Sequence, residues 1–247
     1  MNVTCFTDAA VQSQIDRALA RHVTTDVTVV IAAKQEAPSI AGVIARARRY
    51  AGDIVVVAGA STDGTAEVAA NGGARVIADG GLGKGEALRV AIPLVNTPVT
   101  VFLDADGSHD PEDIPLLVEP ILDGRADHVS ASRLRGGSSE LHGGFDEFFR
   151  LAGSSFITAC INWRFGCRLS ESQNGFRAIS TAVLRQLDLR ENTTTIEQEM
   201  IIKTLRGGWR MAEVPSHEHP RAHGASHINV WRSSPRYVYS FVKYLFF

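Results

Sequence analysis

Two aspartates, Asp104 and Asp106, lie one residue apart directly after the apolar run of residues 99–103. Carboxylates at this spacing, in an extended or turning backbone, can point at one hard cation. A Mg²⁺ or Mn²⁺ ion held there would bridge to phosphate oxygens. The alternative is an acidic strand end that is simply solvated. The buried strand before the pair and the Pro-started helix behind it favour the metal site.

A glycine-rich segment, Gly83-Lys84-Gly85, precedes a predicted helix. Small residues let backbone N–H groups approach a phosphate, the helix N-terminus favours an anion, and Lys84 adds a positive charge. Turns also need glycine, so the segment alone is weak evidence. It lacks both the Walker spacing and the G-x-G-x-x-G pattern, and a redox Rossmann enzyme is therefore not expected. A nucleotidyltransferase is disfavoured because residues 33–36 are not glycine-rich.

Two further groups of residues could take part in chemistry. Histidines within residues 217–223 could share a zinc ion, but we favour a polar ligand-binding loop. One of them, His219, could instead complete the shell of a metal at the aspartate pair. Glu197 and Glu199 lie two residues apart on a predicted helix and so face different directions. We expect one of them to reach a bound substrate as a base, while the other pairs with an arginine or supports the structure.

The elements that must position these residues alternate along the first half of the chain. Short runs rich in β-branched residues predict buried parallel strands, and the segments between them have helical spacing. The strands are predicted at 27–32, 53–57, 74–78, 99–103, 128–132 and 210–214, and the helices at 38–50, 65–70, 86–95, 111–122, 145–165 and 196–206. This order predicts an α/β fold with a mostly parallel sheet, which places Asp104 at the ligand-binding edge.

The composition is that of a soluble globular protein. Of the 247 residues, 45% are hydrophobic and 21% are charged, and the net charge of −2 gives no electrostatic footprint for nucleic acid. Three scattered cysteines fit a reduced compartment better than a disulfide framework. We find neither a signal peptide nor an apolar run long enough to span a bilayer. The expected location is the cytoplasm, or the cytoplasmic face of a membrane.

The motifs, taken in order, resemble those of the family 2 glycosyltransferases of GT-A fold. The first half carries VVIAAKQEA, GASTDGT, GLGKGEAL and FLDADGSHDPEDIP, and the second half carries SQNGFRA, EQE and AEVP. Within the family the chain is most similar to the dolichyl- or polyprenyl-phosphate mannose synthases. The resemblance spans roughly residues 27–228 and implies a metal-dependent, inverting transfer of a hexose from a GDP- or UDP-sugar.

The resemblance also implies roles for single residues. Catalytic roles fall to Asp106, Glu197, Glu199 and Arg133. Donor-binding roles fall to Ala33, Glu36, Ala58, Lys84, Asp104, Ala105, Arg221 and Ser226. An acceptor phosphate would face Arg133, Arg150 and Ser154, and the metal would be held by Asp104 and Asp106, with Ser108 and His219 as further candidates. Asp63 matches a residue of the family that stabilises a loop.

We expect one catalytic domain over residues 1–247. Its nucleotide-sugar-binding half covers about 27–132, its acceptor-side half 133–228, and a C-terminal aromatic helix 229–247. The aromatic segment is an interfacial helix or a partner contact, with plain packing as an equal alternative. A peripheral membrane contact there would suit a lipid-phosphate acceptor, and a homodimer is a further expectation.

The donor base and the sugar stay open, because Ala58 and Gly59 stand where the family usually carries an acidic residue. Two alternatives to the lipid-phosphate transferase remain. The acceptor could be a soluble small molecule or a glycan, or the chain could bind nucleotide sugars without catalysing transfer.

Overall fold

The computed structural model describes residues 4–5, 23–59, 61–139, 145–221 and 230–246, and only the backbone of residues 4–5, 23–24, 145–150 and 230–235. Within these residues, eight strands form one sheet in the order β1-β8-β6-β7-β5-β2-β3-β4. The strands are β1 Thr4–Cys5, β2 Val27–Ala32, β3 Asp53–Val57, β4 Arg75–Ile77, β5 Val99–Asp104, β6 His128–Ser132, β7 Arg177–Ser180 and β8 Met211–Pro215. Among the described strands, β7 alone runs antiparallel to its neighbours, so the expected mostly parallel sheet is confirmed.

Helices cover both faces of the sheet. They are α1 Ala37–Ala47, α2 Thr65–Asn71, α3 Lys84–Ala91, α4 Ile114–Leu122, α5 Arg133–Gly136, α6 Phe145–Phe165, α7 Thr181–Leu184, α8 Ile196–Arg206 and α9 Val230–Phe246. Short 3₁₀ turns lie at Val23–Asp26, Ile92–Leu94 and Pro111–Asp113. The last two belong to segments that the helical pattern predicts as continuous helix, and each has a proline in its first turn.

The strands bury alternate residues in two different cores, as the period-2 geometry of a strand requires. In β5, Val101 and Leu103 pack with α1, α2 and α4 on one face, whereas Phe102 packs with α3, α7 and α8 on the other. A third cluster joins α6 and α9 to the outward side of α8, so these two helices form an outer layer. Among the described residues, no helix combines the length and the apolarity that crossing a bilayer requires.

Two features of the second half differ from the sequence prediction. The Gly- and Ser-rich segment 135–139, whose composition predicts a flexible loop, begins inside the short helix α5. Strand β7 was not predicted, yet it lies between β5 and β6 and thus joins strands of both halves of the chain in one sheet. The division into two halves and a C-terminal helix stays a prediction.

Candidate functional site

Four neighbouring strands end side by side at one edge of the sheet. Ala32 at the end of β2 is paired with Asp104 of β5 and with Val57 of β3, and Val57 is paired with Ile77 of β4. The residues that follow these ends therefore line one edge, where open α/β sheets bind their ligands. Ala33, Ala58 and Ala105 are each buried, so at these positions the backbone is the part that can reach a ligand.

Lys84 connects the strand edge to the second half of the chain. Its Nζ lies 2.5 Å from Asp104 Oδ1 and 2.8 Å from Glu197 Oε1 at the start of α8. Gly175 allows this approach, because a β-carbon there would lie 2.5 Å from Asp104 Oδ2 and 2.6 Å from Lys84 Nζ. The motif around Gly175 can be recognised in the sequence, but its contact with Asp104 and Lys84 cannot be predicted from it. The ammonium group thus holds two carboxylates that are 93 residues apart in sequence.

The charges in this cluster shift the pKa values of its members. Burial alone would lower the pKa of Lys84, but the carboxylates of Asp104 and Glu197 outweigh it and raise that pKa above its ordinary value. Burial also opposes the ionised form of Asp104, yet Lys84 and then His109 bring the pKa of Asp104 below its ordinary value. Both groups are therefore charged at neutral pH.

The glycines on either side of Lys84 allow the start of α3 to pack closely against another part of the backbone. A β-carbon on Gly83 would lie 2.7 Å from the carbonyl oxygen of Asn192, and one on Gly85 would overlap the backbone of Glu191 and Asn192. The Glu86 N–H donates to the same Asn192 carbonyl at 3.1 Å. The first turn of α3 is thus held against the segment 191–193, which fixes the direction in which Lys84 leaves the helix.

Asp106 is buried beside Asp104 and has partners on both carboxylate oxygens. Oδ1 accepts hydrogen bonds from the backbone N–H of Ser108 at 3.0 Å and from its hydroxyl at 2.7 Å, and Oδ2 lies 3.1 Å from Arg221 Nη2. The structure thus brings Arg221 to the aspartate pair. The Ser108 hydroxyl is directed at Asp106, an arrangement that orients this carboxylate.

His109 also belongs to this site and was not singled out from sequence. It is buried, its Nε2 lies 3.7 Å from Asp104 Oδ2, and its ring packs on Phe176 with the centroids 5.4 Å apart. Burial lowers the pKa of His109, although the nearby carboxylates, foremost Asp104, oppose this. Only its position after the aspartates could have pointed to it.

The other proposed metal ligand, His219, is held next to this segment by its backbone. Its N–H donates to the Ser108 carbonyl at 2.8 Å, and its ring lies 4.8 Å from that of His217. Within the described part of the chain, no group of three or more His, Cys, Asp or Glu side chains is arranged to hold a metal ion. Among these described residues we therefore find neither a third protein ligand grouped with the aspartate pair nor a zinc cluster.

Arg133, the candidate for acceptor binding, is enclosed by two carboxylates. Its guanidinium lies 2.8 Å from Glu171 Oε1 and 2.8 Å from Glu218 Oε1. Glu218 also accepts a hydrogen bond from the Ser138 hydroxyl at 2.8 Å. Neither glutamate was predicted from the sequence, since Glu171 lies just before the SQNGFRA motif and Glu218 lies among the histidines. The three side chains carry a net charge of −1 when all are ionised.

The remaining predicted residues lie in different surroundings. The Ser154 carbonyl accepts a hydrogen bond from the Thr158 side-chain hydroxyl at 2.9 Å. The carboxylate of Glu36 accepts a hydrogen bond from Ser39 in the first turn of α1. Asp63 accepts bonds from the N–H groups of Ala37 and Thr65 and so joins two loops, as expected. The side chain of Arg150 and the whole of Ser226 lie outside the described residues.

Glu199 is not part of the cluster around Lys84. Its buried carboxylate accepts hydrogen bonds from the backbone N–H groups of Arg190 and Glu191 and lies 2.7 Å from Lys203 Nζ. These contacts tie the segment before α8 to the helix. Of the two glutamates, Glu197 is thus the one that faces the strand edge, and Glu199 supports the structure.

Comparison with known proteins identifies the family. The family described as Glycosyl transferase family 2 matches residues 28–189 of the chain, which therefore belongs to this family. The expected family is confirmed, and with it the class of enzyme, a glycosyltransferase.

Three relatives from Haloferax volcanii show the range of similarity. A dolichyl-phosphate hexose transferase is 30% identical over 193 residues, which cover 77% of this chain and 81% of the relative. Glycosyltransferase AglJ is 29% identical over 192 residues, which cover 77% of this chain and 62% of AglJ. The low-salt glycan biosynthesis hexosyltransferase Agl6 is 31% identical over 196 residues, which cover 75% of this chain and 47% of Agl6. The chain thus spans only about half to two thirds of the length of the last two.

The fold is shared with solved structures of glucosyl-3-phosphoglycerate synthase from Mycobacterium tuberculosis. The complex with phosphoglyceric acid has 22% sequence identity and a TM-score of 0.73, covering 99% of this chain and 88% of that one. The complex with Mn²⁺, UDP-glucose and phosphoglyceric acid has a TM-score of 0.70 at 22% identity, covering 99% and 86%. The expected α/β fold of GT-A type is confirmed.

Replacing Lys84 by methionine is expected to destabilise the protein by about 3 kcal/mol at pH 7, because it leaves two largely buried carboxylates without a cation. The pairing contribution of Asp104, whose pKa is depressed in the folded state, is present above its unfolded pKa and is lost as the pH falls through the folded pKa. The penalty of Lys84→Met should therefore hold from pH 7 down to about pH 5 and shrink as the pH falls below about 4, the ordinary pKa of an aspartate. Urea unfolding across this range measures it.

The control is Lys34→Met, which makes the same change at an exposed position and should alter stability by less than about 0.5 kcal/mol. A penalty for Lys84→Met that stays constant as the pH falls would contradict the assigned ion pairs.

Proposed function

We propose that this chain, as a single catalytic domain, transfers a hexose with inversion from a nucleoside-diphosphate sugar to an acceptor, with the help of Mg²⁺ or Mn²⁺. The observation that carries the proposal is the arrangement at the end of β5. Asp104 and Asp106 lie together at the carboxyl edge of the sheet, and Arg221 lies 3.1 Å from Asp106. Two carboxylates and a guanidinium at such an edge suit a metal-bound diphosphate.

The comparisons support a nucleotide-sugar donor. The relatives include a dolichyl-phosphate hexose transferase, and a structure of the same fold holds Mn²⁺ together with UDP-glucose. We therefore favour a UDP- or GDP-sugar as the donor and a hexose as the transferred group.

The donor set at the edge fits an oxygen-preferring cation. Asp104 and Asp106 are both carboxylates, and such ions accept a few protein oxygens while water and phosphate complete the shell. When bound, the ion would neutralise charge on the leaving diphosphate. The protein's own part is positional: Lys84 fixes Asp104, and Ser108 fixes Asp106. Arg221 can exchange its contact with Asp106 for one with the diphosphate.

In the reaction, an acceptor oxygen forms a bond to the anomeric carbon while the bond from that carbon to the diphosphate oxygen breaks. The nucleoside diphosphate leaves with the electron pair. A phosphate acceptor is already ionised at neutral pH and needs no base. Glu197 is bound to Lys84, so we assign it the positioning of Lys84.

We further propose a polyprenyl phosphate as the acceptor, bound near Arg133. The guanidinium of Arg133 is held by Glu171 and Glu218, so an anionic acceptor must compete with these carboxylates for it. The name of the dolichyl-phosphate hexose transferase among the relatives supports a lipid phosphate.

Asp106→Asn should remove metal-dependent donor binding and lower transfer by roughly 100-fold or more, because a charged ligand and the partner of Arg221 are lost together. The measurement is transfer of labelled hexose from UDP-glucose and GDP-mannose to polyprenyl phosphate, with and without Mn²⁺. Asp123→Asn makes the same change at the exposed C-terminal end of α4 and should leave transfer unchanged.

Unchanged transfer in Asp106→Asn would refute the role of this residue. Labelled product should extract into organic solvent. Product found only in the aqueous phase, with a soluble acceptor, would refute the lipid acceptor while leaving the transferase intact.

An exposed apolar surface on the outer helices is consistent with a lipid acceptor. On α6 the side chains of Phe156 and Trp163 are 66% and 79% exposed. On α9 four more apolar side chains are exposed, namely Val238, Tyr239, Val242 and Phe246. We call these six residues the outer aromatic face. Both helices pack on α8 through their opposite sides, so the face points away from the core.

The charged side chains that the structure describes on α6 and α9 themselves are positive. Residues 151–168 and 230–247 contain no Asp or Glu, and Arg164, Arg168 and Arg236 are exposed there. Aromatic side chains flanked by basic residues suit the interface of a membrane with anionic lipids. We propose that this face docks peripherally on such a membrane, which would bring the site to a lipid-phosphate acceptor.

The protein should co-sediment with vesicles of phosphatidylcholine and phosphatidylglycerol, and less with phosphatidylcholine alone. Loss of each large apolar side chain should weaken binding roughly tenfold, so the double variant Phe156→Ser/Trp163→Ser tests the face directly. Leu94→Ser changes an exposed apolar residue elsewhere and should bind as the parent does. The proposal would be contradicted if the double variant still bound vesicles. It would also be contradicted if the parent protein bound no vesicles but formed a dimer that the double variant disrupts.

A further inference from the structure

Asp79 stands at the far end of the edge that begins with Asp104. The strands that end there lie in the order β5, β2, β3, β4. Asp79 is the second residue after the end of β4 and directly follows Ala78. Asp104 and Asp79 are thus separated by three strand spacings, about 14 Å. The ends between them carry small side chains, Ala33, Ala58 and Gly59. An extended nucleoside diphosphate has a length of this order, so one ligand can reach from one carboxylate to the other.

The ends of β3 and β4 are locked together at this point. The Ala58 N–H donates to the Ile77 carbonyl at 3.1 Å. A β-carbon on Gly59 would lie 2.7 Å from Asp79 Oδ1 and would overlap the backbone nitrogen of Asp79. The carboxylate of Asp79 therefore lies in the space that a side chain at position 59 would fill. An acidic group thus lies beside the end of β3, although it belongs to the segment that follows the neighbouring strand β4.

The carboxylate of Asp79 is available to a ligand. Other carboxylates along this edge have partners, since Asp104 is bound to Lys84, Asp106 to Ser108 and Arg221, and Asp63 to Thr65. Asp79 is half-buried and, as far as the described residues extend, makes neither a hydrogen bond nor an ion pair with the protein. An ionised carboxylate accepts hydrogen bonds only, so its partner must present N–H or O–H groups.

We propose that Asp79 binds the nucleoside of the donor by accepting a hydrogen bond from the base or the ribose. This inference rests on the proposed function, which places the diphosphate at Asp104 and Asp106. With the diphosphate at that end, the nucleoside extends along the edge over Ala33 and Ala58 toward Asp79. A ring N–H of uracil or guanine, or a ribose hydroxyl, supplies the donor that the carboxylate requires. Asp79 thereby replaces the acidic residue that Ala58 and Gly59 do not provide.

Calorimetric titration of UDP, GDP and inorganic pyrophosphate in the presence of Mn²⁺ tests the assignment. Asp79→Asn keeps the shape of the side chain and should weaken the better-bound nucleotide roughly tenfold or more, because a charge-assisted hydrogen bond is lost. Pyrophosphate, which has no nucleoside, should bind as tightly as before. Gly59→Ala should shift Asp79 and weaken the nucleotide in the same direction. Glu67→Gln, at an exposed position on α2, is the matched control and should bind all three ligands normally.

Unchanged nucleotide affinity in Asp79→Asn would overturn the inference, as would an equal loss of nucleotide and pyrophosphate. A parent protein that binds neither UDP nor GDP would instead overturn the proposed function, and the inference with it. The two failures are thus distinguished by the parent protein alone.

Discussion

The position of one ammonium group, that of Lys84, determines how the rest of the site is arranged. It lies between Asp104 at the end of β5 and Glu197 at the start of α8, and all three side chains are largely buried. An ammonium removed from water is stable only when carboxylates compensate its charge. The strand edge and α8 must therefore stay in register, and Gly175 must lack a side chain for the three groups to meet.

Further buried contacts extend this constraint into the second half of the chain. Arg177, whose side chain is fully buried, donates to the backbone carbonyls of Asn174 and Glu197 and so ties the loop containing Gly175 to α8. Two further arginines, Arg133 and Arg221, are likewise paired with carboxylates of the protein. We propose that anionic ligands bind by exchanging with these carboxylates. Lys84, with two partners, keeps its place.

Much of the fold could be predicted because its signals are local. The Val- and Ile-rich runs of β2, β3 and β5 predict buried parallel strands, and the aspartate pair follows one of them directly. Strand β7 escaped prediction because it has only four residues, includes the buried Arg177, and is defined by pairing with strands distant in sequence. The pairing of Lys84 with Glu197 spans 113 positions and has no local signature. Likewise, the place of Asp79 beside Gly59 follows only from the pairing of β3 with β4.

Anomalous diffraction at the manganese edge, from crystals grown with Mn²⁺ and a nucleoside diphosphate, would locate the metal ion and the ligand together. We expect one manganese peak in contact with carboxylate oxygens of Asp104 and Asp106, with the diphosphate on the same ion. We also expect Lys84 to remain between Asp104 and Glu197 while Arg221 contacts the diphosphate. A manganese ion held away from both aspartates, or a nucleotide bound away from the carboxyl edge of the sheet, would contradict the proposed site.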